Sequence, residues 1–550
     1  MLIHFYTFMT ALFASLVMVP FLRRWALEQN NVDQPDGARK QHTVAMPRLG
    51  GISIFLSFLF SVIVYAPIDN FVRGMLAGGL VIFATGLIDD LSGLSAKRKF
   101  SGQIVACLAT IVVGKVYLVD LGDLFGFGAI VLPPWLGIPF TVFAVVGVVN
   151  AINLVDGLDG LAGGISVIAL SSFLVLGLLE NDAGISLLAA ALVGGILGFL
   201  KYNFYPARIF MGDAGSMTVG FFLGFMAIGL TQSGNASISP VAPVLILGLP
   251  LIDTVWVMCR RVVKGESPFA PDRSHMHHKL LNLGFEHRFT VLIMYGISVF
   301  WSVFAVFFRS WPDYVLLFSY LMICCVGYQL LRYFIHHPKF LARFMRDADE
   351  SLRHTVIYTK MAVFANTLFW PLKFLLAGYA LLVVISVVNH NSTQWQVSLL
   401  LLVVSVGLRL WSHEGGGQFV MLVVYAACGI AAYEVWHVAS SLIFGFSIKL
   451  LGDVLLALMA LLAGFKMVFR TNNEYFLSTV DFLVLSVCAF LAVASQTGAL
   501  GVNLYGPLFR CVLLLFVVRT TIVGNVRDRQ VLRDAVMVFL LLVTLVALLG

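Results

Sequence analysis

Four stretches of an otherwise apolar chain carry carboxylates, amides and imidazoles in patterns suited to phosphate chemistry. GLIDDLSGLSAKRKF places Asp89 and Asp90 side by side. VVNAINLVDGLDGLAGG contains Asn150, Asn153, Asp156 and Asp159. FMGDAGS sets Phe210 close to Asp213, which lies between Gly212 and Gly215. PDRSHMHHKLLNLG supplies Arg273, His275, His277 and His278.

Each stretch also has a plainer reading. Adjacent carboxylates repel, so Asp89 and Asp90 need a neutralising cation or must face water beside a helix end. Asp156 and Asp159 are spaced to share one helix face. They also precede an apolar run, where a helix N-terminus favours negative charge. Capping accounts for one of them but not for the pair, nor for Asn150 and Asn153. Gly-Asp-Ala-Gly could be only a turn, although small neighbours equally let a ligand or metal approach the backbone. Asp89, Asp90, Asp156, Asp159 and Asp213 on one membrane face would need a hard cation. Mg²⁺ fits that requirement, with Mn²⁺ as a substitute, because it completes its shell with water and substrate phosphate. The histidines raise zinc as a rival. HMHH lacks a fourth ligand, however, and Arg273 and Lys279 beside it suggest an anion site.

These residues sit in a frame of membrane spans. The 550-residue chain is 60% hydrophobic and 11% charged, with a mean hydropathy of +0.95. That is too little charge for a soluble protein of its length. Apolar runs long enough to cross a ~30 Å hydrocarbon core recur from end to end. We read an all-α polytopic membrane protein, with about 11 transmembrane helices within residues 1–335 and about 7 more within 361–550. The fifth run, 138–150, is short and could begin earlier. A basic, polar stretch at 336–360 separates the two regions as a cytosolic linker. The opening run, Met1 to Pro20, lacks a basic start and a cleavage site, so it reads as a retained span.

Lys and Arg alternate between loops. Arg23, Arg24, Lys40, Arg48, Lys97, Arg98, Lys99, Arg208, Arg260 and Arg273 fall on one side, which the positive-inside rule makes cytosolic. The other side is acidic, with Asp69, Asp120, Asp123, Glu180 and Asp182, and the N-terminus lies there. The net charge of +7 is thereby explained without nucleic acid. The seven cysteines form no CxxC pair, so neither a zinc site nor a disulfide framework is indicated. Gly194 and Gly198 form a GxxxG pair suited to close helix packing.

Together the motifs, with PRLGG (Pro47 to Gly51), resemble the polyprenyl-phosphate N-acetylhexosamine-1-phosphate transferase family. The resemblance covers about residues 1–335. It implies a bacterial inner-membrane enzyme with a cytosolic active site, a UDP-sugar donor and an undecaprenyl phosphate acceptor. It implies that Asp89 and Asp90 serve metal binding and deprotonation of the lipid phosphate, and that Asp213 is a direct Mg²⁺ ligand. Asn153, Asp156 and Asp159 match positions that organise the nucleotide, Phe210 an aromatic near uracil, and Lys40 a basic residue that holds the nucleotide-sugar. The loop His275 to His278 matches the region associated with sugar and diphosphate. HMHH and PRLGG resemble the GlcNAc-1-phosphate branch, with modified sugars such as FucNAc or QuiNAc as alternatives. A second copy of the chain and polysaccharide-assembly proteins are the protein partners such an enzyme suggests.

A transporter is the main rival, although carriers place ionisable groups near the bilayer midplane, whereas these cluster at span ends. A scaffold role for 361–550 is a third reading. Within that region Lys449 and Asp453, four apart, are expected to neutralise each other on one helix.

Overall fold

In the computed structural model the chain divides into two compact units, Met1–Pro338 and Lys339–Gly550. The structure describes residues 2–29, 46–232, 238–267 and 275–337, then 367–390, 442–443, 446–468 and single positions within 361–364, 427–435 and 510–518. Among the described residues, eight helices are long and apolar enough to cross a membrane, and the chain is a multi-spanning all-α protein.

The first unit runs through α1 (Leu2–Glu28), α2 (Gly50–Tyr65), α3 (Asn70–Ser92), α4 (Ala96–Gly114), α5 (Pro134–Val155), α6 (Leu161–Leu179) and α7 (Ala183–Asn203). It continues through α8 (Gly212–Gln232), α9 (Ala242–Ile246), α10 (Gly248–Val263), α11 (Met276–Asn282), α12 (His287–Phe307) and α13 (Asp313–His336). The helix of the fifth apolar run begins early, at Pro134, where proline costs little because that N–H would be unpaired anyway. Asp69 and Asp182, acids of the basic-poor loops, cap α3 and α7 by accepting the Val72 and Ile185 N–H groups at 2.8 and 2.9 Å.

The ninth apolar run, 241–258, is not one continuous helix. Pro243 and Pro250 flank a break between α9 and α10. The Tyr320 hydroxyl donates to the Gly248 carbonyl at 2.7 Å and ties α13 to the start of α10. α2 has 16 residues, and α4 opens on Ala-Lys-Arg-Lys. For these reasons fewer helices reach full spanning character than the about eleven apolar runs suggest.

α6, α7 and α8 form the most buried part of the unit. α1 and α2 pack on α7, and α3 and α5 pack on α8. At Gly194 an added Cβ would lie 2.3 Å from the Phe8 carbonyl, so the GxxxG pair seats α1 on α7. The start of α2 is laced to the approach of α8. Phe210 N–H donates to Pro47 O at 2.8 Å, while Gly50 and Gly51 N–H donate to Phe210 O and Met211 O at 3.0 and 2.8 Å. PRLGG is thus the backbone partner of FMGD. A Cβ on Gly51 would lie 2.2 Å from the Gly215 nitrogen, which is backbone and cannot turn aside. Gly51→Ala is therefore expected to destabilise the fold by about 1–3 kcal/mol, read as a lowered thermal midpoint in detergent.

In the second unit the described elements are α14 (Phe369–His390), a two-stranded antiparallel ribbon of β1 (Leu442–Ile443) and β2 (Phe446–Ser447), and α15 (Ile448–Val468). Leu372, Tyr379, Val383, Val435, Met459 and Val517 are among its core residues. Spacing on one helix suggests Lys449 as the partner of Asp453. The structure instead gives Asp453 a two-pronged pair with Arg510, whose Nε and Nη2 donate at 2.7 and 2.6 Å. The spacing rule considers only one helix, and Arg510 reaches Asp453 from a distant part of the chain. The bulk of the 336–360 linker, and most of the apolar runs beyond it, lie outside the described residues.

Candidate active site

α3, α4, α5 and α8 bring three of the motifs together. Asp213 opens α8 and accepts Lys99 Nζ at 3.1 Å on Oδ2, with a short hydrogen bond from Asn153 Nδ2 on Oδ1. The same ammonium pairs with Asp89 Oδ2. Asp89 Oδ1 accepts the Leu94 N–H at 2.6 Å. One lysine thus links carboxylates from two helices.

The adjacent acids divide their work because successive helical residues point about 100° apart. Asp89 faces Lys99. Asp90 accepts the Asp213 and Ala214 N–H groups, each at 2.9 Å, and caps α8 from α3. Gly212 turns the chain into that cap with a φ of 70°, and a Cβ there would lie 2.5 Å from Asp90 Oδ2. Asp90 differs from Asp89 and Asp213 in that both of its oxygens are taken by backbone N–H groups at a helix end, whereas the other two share a cation.

Asp156 ends α5 half-buried, and among the described residues nothing donates to its carboxylate. Burial, and then the nearby charges of Asp213, Asp90 and Asp159, push it up to about 7, with the Arg48 charge opposing. Asp159 has a structural setting. Its Oδ2 accepts the Ala207 N–H at 2.9 Å, and its own N–H donates to His287 Nε2 at 3.2 Å. Asn203 reinforces this join by accepting Gly160 N–H at 3.0 Å and donating to Ile209 O at 2.9 Å. The loop that carries Phe210 is thereby pinned to the DGLDG turn. Asn150 is engaged elsewhere, donating to Gln103 Oε1 and Val146 O at 3.1 and 2.7 Å. Lys40 and Arg273 lie outside the described residues.

The histidine segment approaches from the other side. His277, on α11, is 1% exposed. Its Nε2 lies 2.6 Å from where a Cβ on Gly157 would stand, so the absence of a side chain at 157 admits the ring. Burial, and then the neighbouring His278, hold its pKa down to about 3, so it is neutral at physiological pH. Neither ring nitrogen of His277 has a partner among the described residues. His278 is tilted against it at 4.2 Å between ring centres. His275 Nδ1 meets Asp253 Oδ2 at 3.0 Å.

Lys99, Asp253 and His287 were not singled out by the sequence motifs as site residues. Lys99 stands within the Asp89–Asp90 segment, where the sequence shows it only as loop charge. Asp253 lies inside an apolar run, and the rule that intramembrane carboxylates are functional would have found it. His287 carries no sequence signal, since it is brought to Asp159 by the fold alone.

Among the described residues, no group of three carboxylates, imidazoles or thiols stands close enough to enclose an ion. Asp89 and Asp213 converge on the position held by the Lys99 ammonium, and Asp156 offers an oxygen with no donor among the described residues. Such a partial oxygen shell fits Mg²⁺, which keeps several waters and takes further oxygens from phosphate.

The sequence pattern of glycosyl transferase family 4 matches residues 72–231, which span α3 to α8 and three of the four motifs. The chain is 37% identical over 319 residues to a probable undecaprenyl-phosphate N-acetylglucosaminyl 1-phosphate transferase of Bacillus subtilis, covering 56% of this chain and 86% of the relative. It is 33% identical over 351 residues to the undecaprenyl-phosphate alpha-N-acetylglucosaminyl 1-phosphate transferase of Escherichia coli K12, covering 62% and 93%. A decaprenyl-phosphate N-acetylglucosaminephosphotransferase of Mycobacterium leprae is 37% identical over 304 residues, covering 49% and 76%.

Proposed function

The chain belongs to the undecaprenyl-phosphate HexNAc-1-phosphate transferase family, and on that footing we propose that it moves a HexNAc-1-phosphate from a UDP-sugar onto undecaprenyl phosphate and releases UMP. The observation that carries the reading is the convergence of Asp89, Lys99, Asn153 and Asp213 within the residues that match the family pattern. GlcNAc is the proposed sugar, as in the relatives' names, and the product starts a cell-envelope polysaccharide. The proposed setting is the bacterial plasma membrane, with the N-terminus outside and the aspartates at the cytosolic face. About eleven spans within residues 1–335 and about seven within 361–550 complete the proposed topology.

The acceptor phosphate oxygen attacks the β-phosphorus of the donor. A P–O bond forms there as the P–O bond to UMP breaks. Repulsion among three phosphates opposes the approach. Lys99 and Arg48 provide fixed positive charge against it. Mg²⁺, held by Asp213 and Asp89, would supply further neutralisation of the diphosphate. Asn153 holds Asp213 in orientation. Asp156, which has no donor among the described residues and is pushed up to about 7 by burial, takes the proton of a protonated acceptor phosphate in its ionised form.

A carboxyl raised to about 7 is ionised above that pH, so kcat/KM should rise from pH 6 to pH 8. Asp156→Asn should lower the rate by about 10²–10⁴-fold and remove that acidic limb. A limb that survives the substitution belongs to the acceptor phosphate and takes Asp156 out of this role.

The direct test supplies radiolabelled UDP-GlcNAc and undecaprenyl phosphate to the purified protein. Label in the lipid extract with stoichiometric UMP supports transfer. Uptake into vesicles without a lipid product would support a carrier instead.

A further inference from the structure

Asp253, outside the aspartate cluster, has partners on both carboxylate oxygens. It is 1% exposed on α10. Its Oδ2 accepts from His275 Nδ1 at 3.0 Å, and its Oδ1 accepts the Met276 N–H at 2.9 Å and the Tyr328 hydroxyl at 3.0 Å. The donors come from the start of α11 and from α13. A carboxylate accepts, so this contact favours the His275 tautomer with its proton on Nδ1 and Nε2 left as the acceptor nitrogen. The same carboxylate holds the first N–H of α11. Ring orientation and helix position are therefore set by one group.

The Tyr328 donor is itself packed by neighbours on α10 and α11. Tyr328 stacks on Trp256 with ring centres 4.5 Å apart, and Lys279 Nζ lies 5.1 Å from the Tyr328 ring centre. From this mount α11 carries His277, nearly parallel to His275 at 5° and 6.0 Å between centres, against Gly157 between Asp156 and Asp159. A buried post on α10 thus places the histidines on the aspartate loop.

We propose that Asp253 is a positioning residue of the transfer reaction, fixing the His275 tautomer and seating α11 against the DGLDG turn. This rests on the function proposed above. A simple brace between α10, α11 and α13 would use the same contacts, but the two roles respond differently to substitution. In Asp253→Asn the amide keeps the volume, and its oxygen still accepts from Met276 and Tyr328. Its NH₂ faces His275 Nδ1 and moves the ring proton to Nε2. Tyr328→Phe weakens the brace and leaves the tautomer alone.

The test uses the full-length protein in nanodiscs with UDP-GlcNAc and undecaprenyl phosphate, with folded molecules counted by UMP binding. In Asp253→Asn, kcat is expected to fall at least about 30-fold, while KM for UDP-GlcNAc moves less than about threefold. Tyr328→Phe should be at least about tenfold more active than Asp253→Asn. Asp253→Asn combined with His275→Ala should be no slower than His275→Ala alone, because Asp253 acts through His275. The proposal is overturned by a near-normal kcat in Asp253→Asn, by multiplying losses in the double variant, by equal losses in Tyr328→Phe, or by an Asp253→Asn chain that does not fold. A wild-type protein that forms no lipid product sinks the proposed function itself, which is a different outcome from an active variant.

Discussion

Asp213→Asn is expected to cut kcat by about 10²–10³-fold, the scale on which one preorganised charge contact at a reacting centre matters. Asp213 receives Asn153 on one oxygen and Lys99 on the other. An asparagine oxygen can still accept from Asn153. The NH₂ must then face the Lys99 ammonium, donor against donor, and the negative charge is gone. The apparent Mg²⁺ requirement should rise together with the fall in kcat. Stability should not fall in step, because Asp213 repels Asp156 and Asp90 across the cluster. Relieving that repulsion leaves the thermal midpoint unchanged or higher, as when strain at a functional site is released. Kinetics across a Mg²⁺ titration, set beside thermal unfolding, check both halves. Near-normal turnover with unchanged Mg²⁺ dependence would end the assignment of Asp213 as a metal ligand.

Lys99→Gln is expected to lose about 10²-fold in kcat and, unlike Asp213→Asn, to destabilise the fold. The lysine side chain is 29% exposed, while Asp89 and Asp213 are 6% and 22% exposed. Removing it strands two carboxylates that shared one cation. Full burial of such a pair would make the loss about 3–5 kcal/mol, and full exposure would make it nearly nothing. The intermediate burial here places it at about 1–3 kcal/mol. Adding Asp89→Asn to Lys99→Gln should restore much of the stability, since one stranded charge is then removed, but not the turnover. Thermal midpoints and initial rates for the single and double variants test this. Equal recovery of both would make Lys99 structural only.

The helical, membrane-spanning character of the chain was readable because apolar runs of spanning length need no tertiary information. The contact beside the break between α9 and α10 was less readable, since it brings Tyr320, seventy-two residues away, to the Gly248 carbonyl. Asp453 shows the same limit, since a partner four residues distant is visible in a sequence and Arg510 is not. Within the site, the residue types in the four motifs marked the aspartates and histidines as a group. Their individual roles were not marked. Asp89 and Asp90 are neighbours in sequence, yet one meets Lys99 and the other caps α8, because a helix turns them to different faces.

By itself, then, the sequence determined that carboxylates, amides and imidazoles stand at the ends of apolar spans, and that their motifs match one family of phosphosugar transferases. Those are properties of residue type, spacing and hydropathy. The tertiary structure decided that Lys99 links Asp89 to Asp213, that Asp156 alone of the cluster lacks a donor among the described residues, and that Asp253 mounts the histidine helix on α10. Each depends on which helix faces which across the bundle. That is set by packing surfaces such as Gly51 on Gly215 and by the caps that hold one helix end to another.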